Sequence, residues 1–549
     1  MAPSMGPIPR VTPERVSMAD WDFAGVFEAV ARVFPDRVAL VHGDRRTTWS
    51  ELDANASALA CAFDGAGLRA GAVVAQYLRN GPEYIEAFYA ASKAALAPMN
   101  TNFRYVDDEL VQIWTDADAQ AVVFAAEFRD RVVRVRERVP SVRAWIEVGG
   151  GDAPGWITPY SAALGHPPRR HGGGSADSLV LIYTGGTTGR PKGVMWRQAD
   201  ILSLLNSQNA SPLPDHGDTA AIERHLRENS REMRALTAAP LMHGAGLFYA
   251  IAALSAGTTV VTLSGERFSA EELLDTVERE RVRSLAIVGD AFARPLLAAL
   301  DAEPGRWDLS SLRFVFSSGV MWSSEVKTGL LVHLPRARLL DGLGSSEASA
   351  VASTLSTAGN VADTASFRPS DRAAILLDDG TLAQPGDGRT GRLAVTGWIP
   401  VGYLNDPEKS AQTFVEAAGR RWSVPGDLAR LEADGTVRLL GRGSSVINTG
   451  GEKVFAEEVE EVLKKHPAVA DAAVVGVPDD RLGNKVVALV EGVGEEPAVE
   501  DLLAHARSML AGYKVPRELG FVDTVGRGAN GKLDHRSLTA LAEKKWSNA

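Results

Sequence analysis

The chain has 549 residues, 45% hydrophobic and 23% charged, the balance of a globular enzyme rather than of a disordered or fibrous protein. Its net charge of −11 does not suit a nucleic-acid partner, because neutralising a phosphate backbone takes a basic face. The single cysteine, Cys61, excludes an internal disulfide and a cysteine-held metal cluster, and fits a reducing compartment.

The length suggests two to four structural units. Pro3, Pro7 and Pro9 stand where a signal peptide would need an apolar helix, and no apolar run reaches the roughly 18 residues of a bilayer span. A cytoplasmic protein without a transmembrane segment is therefore expected. Hydrophobic periodicity predicts helices over 23–34, 49–66 and 82–95, with strands at 73–77 and 121–124. Strands at 258–263 and 284–288 then alternate with helices at 270–280 and 292–300. This order predicts an α/β fold of stacked, mostly parallel sheets with helices on their faces. Residues 206–234 are polar and charge-rich and read as a surface excursion with a helical end. After Gly380, glycine-punctuated runs at 388–397 and 435–441 predict a small antiparallel β unit. From Ser444 onward, helices at 456–465 and 499–510, strands at 472–477 and 485–490, and a closing basic segment read as a small α+β domain. The boundaries expected are 1–442 for the large N-terminal domain, with the β unit at about 380–442, and 443–549 for a small mobile C-terminal domain.

Four sites carry candidate chemistry. The run Thr184-Gly185-Gly186-Thr187-Thr188-Gly189-Arg190-Pro191-Lys192 lies between apolar stretches at 178–183 and 193–196, so it reads as a turn between two strands. Glycines let backbone N–H groups face an anion, threonines add hydroxyl donors, and Arg190 and Lys192 add charge. Polyphosphate is implied, without the helix-opening Gly-Lys-Ser/Thr of a Walker loop. The second site is Asp341-Gly342-Leu343-Gly344-Ser345-Ser346-Glu347, after a strand-like run at 337–340. Glu347 is placed to hold a hard cation at a sheet edge, or to sit in the first turn of a helix capped by Ser345 or Ser346. Asp427 and Arg442 suit a ribose diol, although Gly426-Asp427 alone is only a turn. Lys532, on the glycine-rich loop 527–533, is either a solvated lysine or a point charge that reaches an active site.

In this order the four sites resemble the adenylate-forming superfamily of acyl-CoA synthetases, amino-acid adenylation domains and luciferases. The match runs from 40–52 through 98–105 to Lys532. The resemblance implies a two-step ligase in which a carboxylic acid attacks the α-phosphate of Mg-ATP and a thiol then displaces AMP. Carried over residue by residue, Thr184, Gly185, Gly186, Thr187, Thr188, Gly189 and Lys192 hold the phosphates. Glu347, with Thr187, binds magnesium, and Ser346 meets the α-phosphate. Ser318, Gly319, Asp341, Gly342, Leu343 and Gly344 line the nucleotide site, and Asp427 and Arg442 hold the ribose. Lys532 is the adenylation lysine. The resemblance also implies rotation of the C-terminal domain about a hinge at Ser444, bringing Gly451 and Lys453 to coenzyme A in place of Lys532.

Three positions depart from the pattern. Gly186 replaces a serine, Leu343 stands where an aromatic ring usually stacks on adenine, and 316–322 matches the glycine-rich wall only loosely. The run 239–248, with His243 placed at the mouth near the substrate carboxyl or else packed structurally, offers no carboxylate to pair a substrate ammonium, so amino acids are disfavoured. Residues 348–353 are all small and imply a wide pocket or a close-packed helix. The motif forms look most like actinobacterial fatty-acyl-CoA ligases that include enzymes for steroid and other polycyclic acids. The reading is an ATP-, Mg2+- and CoA-dependent ligase for a hydrophobic, bulky polycyclic acid. A medium- or long-chain fatty-acid ligase, an acyl-AMP ligase loading a carrier protein, a luciferase-like monooxygenase and a non-catalytic nucleotide-binding protein stay open as alternatives, as does a homodimer.

Overall fold

The computed structural model describes residues 21–166, 174–184, 191–214, 218–442, 446–449, 452–479, 483–494, 496–510, 512–528 and 533–546. Its first large sheet is built on six parallel strands in the order Val38–His42, Thr259–Thr262, Arg234–Thr237, Ser284–Ile287, Phe314–Ser318 and Arg338–Leu343. A second sheet of eight strands runs Gly402–Tyr403, Lys192–Arg197, Leu179–Thr184, Ala97–Asn100, Val73–Tyr77, Ala119–Ala125, Ala144–Val148 and Ile157–Pro159. It is parallel from Leu179–Thr184 onward, with Lys192–Arg197 antiparallel beside it. Helices fill the faces and bury the apolar sides of both sheets. Helix Trp49–Gly65 starts at the reciprocal Thr48–Glu51 capping box, which satisfies two end N–H groups at once.

The expected elements form with boundaries shifted by a few residues, and four segments differ. Residues 292–300 are part of a longer helix, Gly289–Ala302. The helical end of the polar excursion is Thr219–Asn229, capped by Asp218. It is not a free surface element, because Ile222 and Leu226 are buried and Glu223 pairs with Arg32 of helix Phe23–Val33 at 2.7 Å. No helix follows Glu347. Val351 N donates to Leu343 O at 3.1 Å, closing a tight turn with Ala350 at φ 52°, and Ala352–Ser356 returns antiparallel to Arg338–Leu343. A backbone ladder thus takes the pairing that a helix would have needed. The antiparallel β unit begins before Gly380, since Ser366–Pro369 pairs with Val437–Arg442 and Ala373–Leu376 pairs with Thr390–Thr396.

The C-terminal unit is a long hairpin, Val469–Asp479 against Gly483–Gly492, with Glu518–Phe521 added in parallel. Helices Ala456–Lys464 and Val499–Met509 cover one face. The closing segment forms the helix His535–Trp546, which covers the other with Leu538, Ala542 and Trp546.

Candidate active site

The carboxyl ends of the parallel strands converge on one cavity of about 1630 Å³. Thr184, Ser318 and Leu343 are each the last residue of their strand, and open α/β sheets bind ligands at that edge. Thr184, Lys192, His243, Ser318, Gly319, Asp341, Gly342, Leu343, Gly344, Ser346, Glu347 and Asp427 all border this cavity. Residues from Thr184 to Asp427 are brought together because both sheets present the same edge.

Each group is held by the elements beneath it. Thr184 and Lys192 face each other across the hairpin stem, whose connecting loop, with Gly185, Gly186, Thr187, Thr188 and Gly189, lies outside the described residues. Lys192 Nζ is 3.2 Å from Asp406 Oδ2, and it lies 5.3 Å from the ring centre of Tyr403. Tyr403 donates its hydroxyl to Glu347 Oε1 at 2.9 Å. The backbone around Glu347 is pinned from two further strands: Ser423 Oγ donates to Glu347 O at 2.7 Å and Trp196 Nε1 donates to Ser346 O at 2.8 Å. Asn100 Nδ2 donates to Tyr183 O at 3.0 Å and to Met242 O at 2.6 Å, and Tyr183 N donates to Asn100 Oδ1 at 2.6 Å. Asn100 thereby couples the strand that ends at Thr184 to the segment ending at His243. His243 caps helix Gly244–Ser255 in extended conformation.

Asp341 is buried beside the equally buried Lys327, Nζ to Oδ2 3.8 Å. Burial pushes its carboxyl up to about 7, an effect that Lys327 opposes and Asp290 reinforces. Asp427 and Arg442 are directly opposite in the antiparallel ladder. Lys453 pairs with Asn448 in the two-stranded ribbon, and Ser444, Gly451 and Lys532 lie outside the described residues.

From the strand edge the cavity runs inward along one face of helix Gly244–Ser255. Ala245, Phe248, Tyr249, Ala252 and Ala253 border it at the three- and four-residue spacing of a single helical face. Opposite stand Phe316, stacked on Tyr249 at 6.1 Å and 3°, and Ser284, whose Oγ accepts from the Tyr249 hydroxyl at 2.7 Å. A helix of 12 residues spans about 18 Å, so the space is long as well as wide. Its far wall includes Leu213, Leu226 and Ser230, from the stretch that the sequence left without chemistry. The signal lay in the alanine and aromatic spacing of 245–253.

The C-terminal unit borders the cavity too, through Glu457, Glu460, Glu461, Lys464, Arg527, Leu533 and His535. Glu460 accepts from Val474 N at 2.9 Å, and burial, with Glu457 nearby, pushes it up to about 8. Glu347 offers a cation a hard oxygen, and no cluster of three or more His, Cys, Asp or Glu suited to a metal occurs among the described residues. A cation here would take most ligands from phosphate and water, as Mg2+ does. No helix among the described residues is long and apolar enough to cross a membrane.

The family model for AMP-binding enzymes matches residues 27–401, and that for their C-terminal domain matches 458–532. The chain is 40% identical over 527 residues to a Mycobacterium tuberculosis ligase named for medium/long-chain fatty acids and 3-oxocholest-4-en-26-oate, covering 94% of this chain and 95% of that one. It is 38% identical to the 3-oxocholest-4-en-26-oate CoA ligase of Rhodococcus rhodochrous, covering 94% and 95%. In fold it is similar to the anthranilate CoA ligase AuaEII in complex with anthranoyl-AMP, with a TM-score of 0.83 at 22% identity, covering 96% and 98%.

Proposed function

The chain belongs to the AMP-binding enzyme family and is an AMP-forming acyl-CoA synthetase for a hydrophobic carboxylic acid; from that premise we propose that its acid is bulky and polycyclic, and that the candidate residues divide the chemistry as follows. Lys192 and the loop before it hold the β- and γ-phosphates. Glu347 holds Mg2+, which shields triphosphate charge. Ser346 meets the α-phosphate, Asp427 and Arg442 bind the ribose, and Asp341 faces the base. His243 stands where the acid's carboxylate approaches the α-phosphate, and Lys532 offsets the charge that develops there. Coenzyme A then displaces AMP, with Gly451 and Lys453 exchanged for Lys532 by rotation about Ser444.

The observation that carries this reading is continuity: the polar strand edge and the apolar channel along Ala245–Ala253 are one cavity. An acid seated in the channel presents its carboxylate to the groups that handle phosphate, which is the proximity an adenylation needs. The alanine face leaves width for fused rings, and the relatives named for a steroid acid support the same choice.

The test is a panel of fused-ring, linear and aromatic acids, read by pyrophosphate release and by mass detection of the thioester with CoA or a carrier protein. Preference for fused-ring acids and CoA is expected. Equal or better turnover of linear acids would remove the polycyclic proposal, and acyl transfer only to carrier protein would remove CoA as acceptor.

A further inference from the structure

Lys327 stands on helix Ser324–His333, behind the strand that carries Asp341. Its side chain is 0% exposed, and its ammonium makes no hydrogen bond among the described residues. The charge it approaches is Asp341 Oδ2, at 3.8 Å. A buried ammonium is costly unless it is paired, and the carboxylate Lys327 pairs with stands on the cavity wall. Asp341 is itself nearly enclosed, with 5% of its side chain exposed, yet it borders the cavity beside Ser318, Gly319 and Leu343.

The surrounding charges divide into two groups. Asp290, on helix Gly289–Ala302, opposes ionisation of Asp341. It is turned to Arg294 Nη2 at 3.1 Å and to Ser323 N at 3.0 Å, and Lys464 of the C-terminal helix Ala456–Lys464 also feels it. Burial acts in the same sense as Asp290, and Lys327 acts against both. The result places the Asp341 proton near neutrality, at about 7, so one neighbouring cation decides whether the group is ionised under ordinary conditions.

We propose that Lys327 is a positioning residue that selects adenine over 6-oxopurines by holding Asp341 as a carboxylate against the exocyclic amino group. This rests on the nucleotide reading of the cavity. An ionised carboxyl only accepts hydrogen bonds; it therefore receives the 6-amino protons of adenine and repels a 6-oxo oxygen. A protonated carboxyl can donate to that oxygen, and discrimination falls. Without Lys327, burial and Asp290 act unopposed and the protonated form extends to higher pH.

The test is calorimetric titration of AMP and IMP into the full-length wild type, Lys327→Met and Lys327→Arg from about pH 6 to about pH 8. Any titration of the nucleotide phosphate is common to both ligands and cancels in the ratio. In the wild type the AMP preference should rise as Asp341 ionises. In Lys327→Met it should fall about tenfold or more near neutral pH, with its rise displaced upward, whereas Lys327→Arg should retain it. A structural role would weaken both ligands alike and leave the ratio and its midpoint unmoved; that result overturns the proposal. So does a wild-type ratio that is flat with pH, which needs no variant to fold. Failure of the wild type to bind AMP or IMP would instead overturn the nucleotide reading beneath it.

Discussion

Tyr403 joins the two groups expected to face phosphate: its hydroxyl donates to Glu347 Oε1 at 2.9 Å, and Lys192 Nζ stands 5.3 Å from its ring centre. A hydrogen bond to a charged group contributes about 1.5–3 kcal/mol. Tyr403→Phe keeps the ring and removes that bond. It should lower kcat/KM for pyrophosphate exchange about 10- to 100-fold, raise the Mg2+ concentration needed for half-maximal rate, and lower the melting temperature by no more than the loss of that one bond explains. An unaltered Mg2+ dependence would separate Tyr403 from the cation.

Lys532→Ala should abolish formation of the acyl-adenylate while thioester formation from supplied acyl-adenylate and CoA largely survives. The two half-reactions are measured separately, by pyrophosphate exchange and by mass detection of the thioester. Equal loss of both would contradict a lysine that serves one step and is then carried away.

Ala252 borders the channel on the same helical face as Tyr249 and Phe248. Ala252→Phe fills that face without a polar change. Turnover of fused-ring acids should drop at least about tenfold, with linear acids much less affected, since one pocket clash discriminates by about 1–3 kcal/mol. A parallel loss for both classes would place the acyl chain elsewhere.

Asn100→Ala leaves the buried Tyr183 N–H and two carbonyls without their side-chain partner. Stability should fall by about 1–3 kcal/mol, read from denaturant midpoints. Adenylation should fall further than stability explains at temperatures where the variant is folded, because the strand that ends at Thr184 is no longer tied to the His243 segment.

Glu460 is buried, and its proton is held up to about 8 from an ordinary 4.5. Between these two values the native protein retains a proton that the unfolded chain releases, so stability from this group declines as pH rises through that window and levels off above it. Glu460→Gln keeps an acceptor for Val474 N and removes the titration. The variant should melt higher than wild type at about pH 8 and show little difference near pH 4.5. A difference that does not grow with pH would contradict the buried neutral carboxyl.

Much of this protein is local and was legible along the chain. Helical and strand periods located the alternating elements, since one face of each must be apolar to bury. The anion and cation roles proposed for the glycine-threonine loop and the Gly-Ser-Ser-Glu run rest on residue type alone. Residues 348–353 show where local reading stops: small side chains suit a close-packed helix, but the pairing of Ala352–Ser356 with Arg338–Leu343 makes 348–351 the turn between two strands. The stretch 206–234 was silent for the same reason, because the burial of Leu213 and Leu226 depends on helices far away in sequence.

What the sequence by itself determined was the identity of the chemical groups and their order, because motifs are short and their donors, acceptors and charges are intrinsic to the residues. What only the tertiary structure decided was which groups meet. Tyr403 beside Glu347, Lys327 behind Asp341, and an alanine face turned into the same cavity as Thr184 and Lys192 join distant segments. They depend on two sheets presenting their carboxyl edges to one space, and sheet register and packing act over the whole folded chain rather than within any window of it.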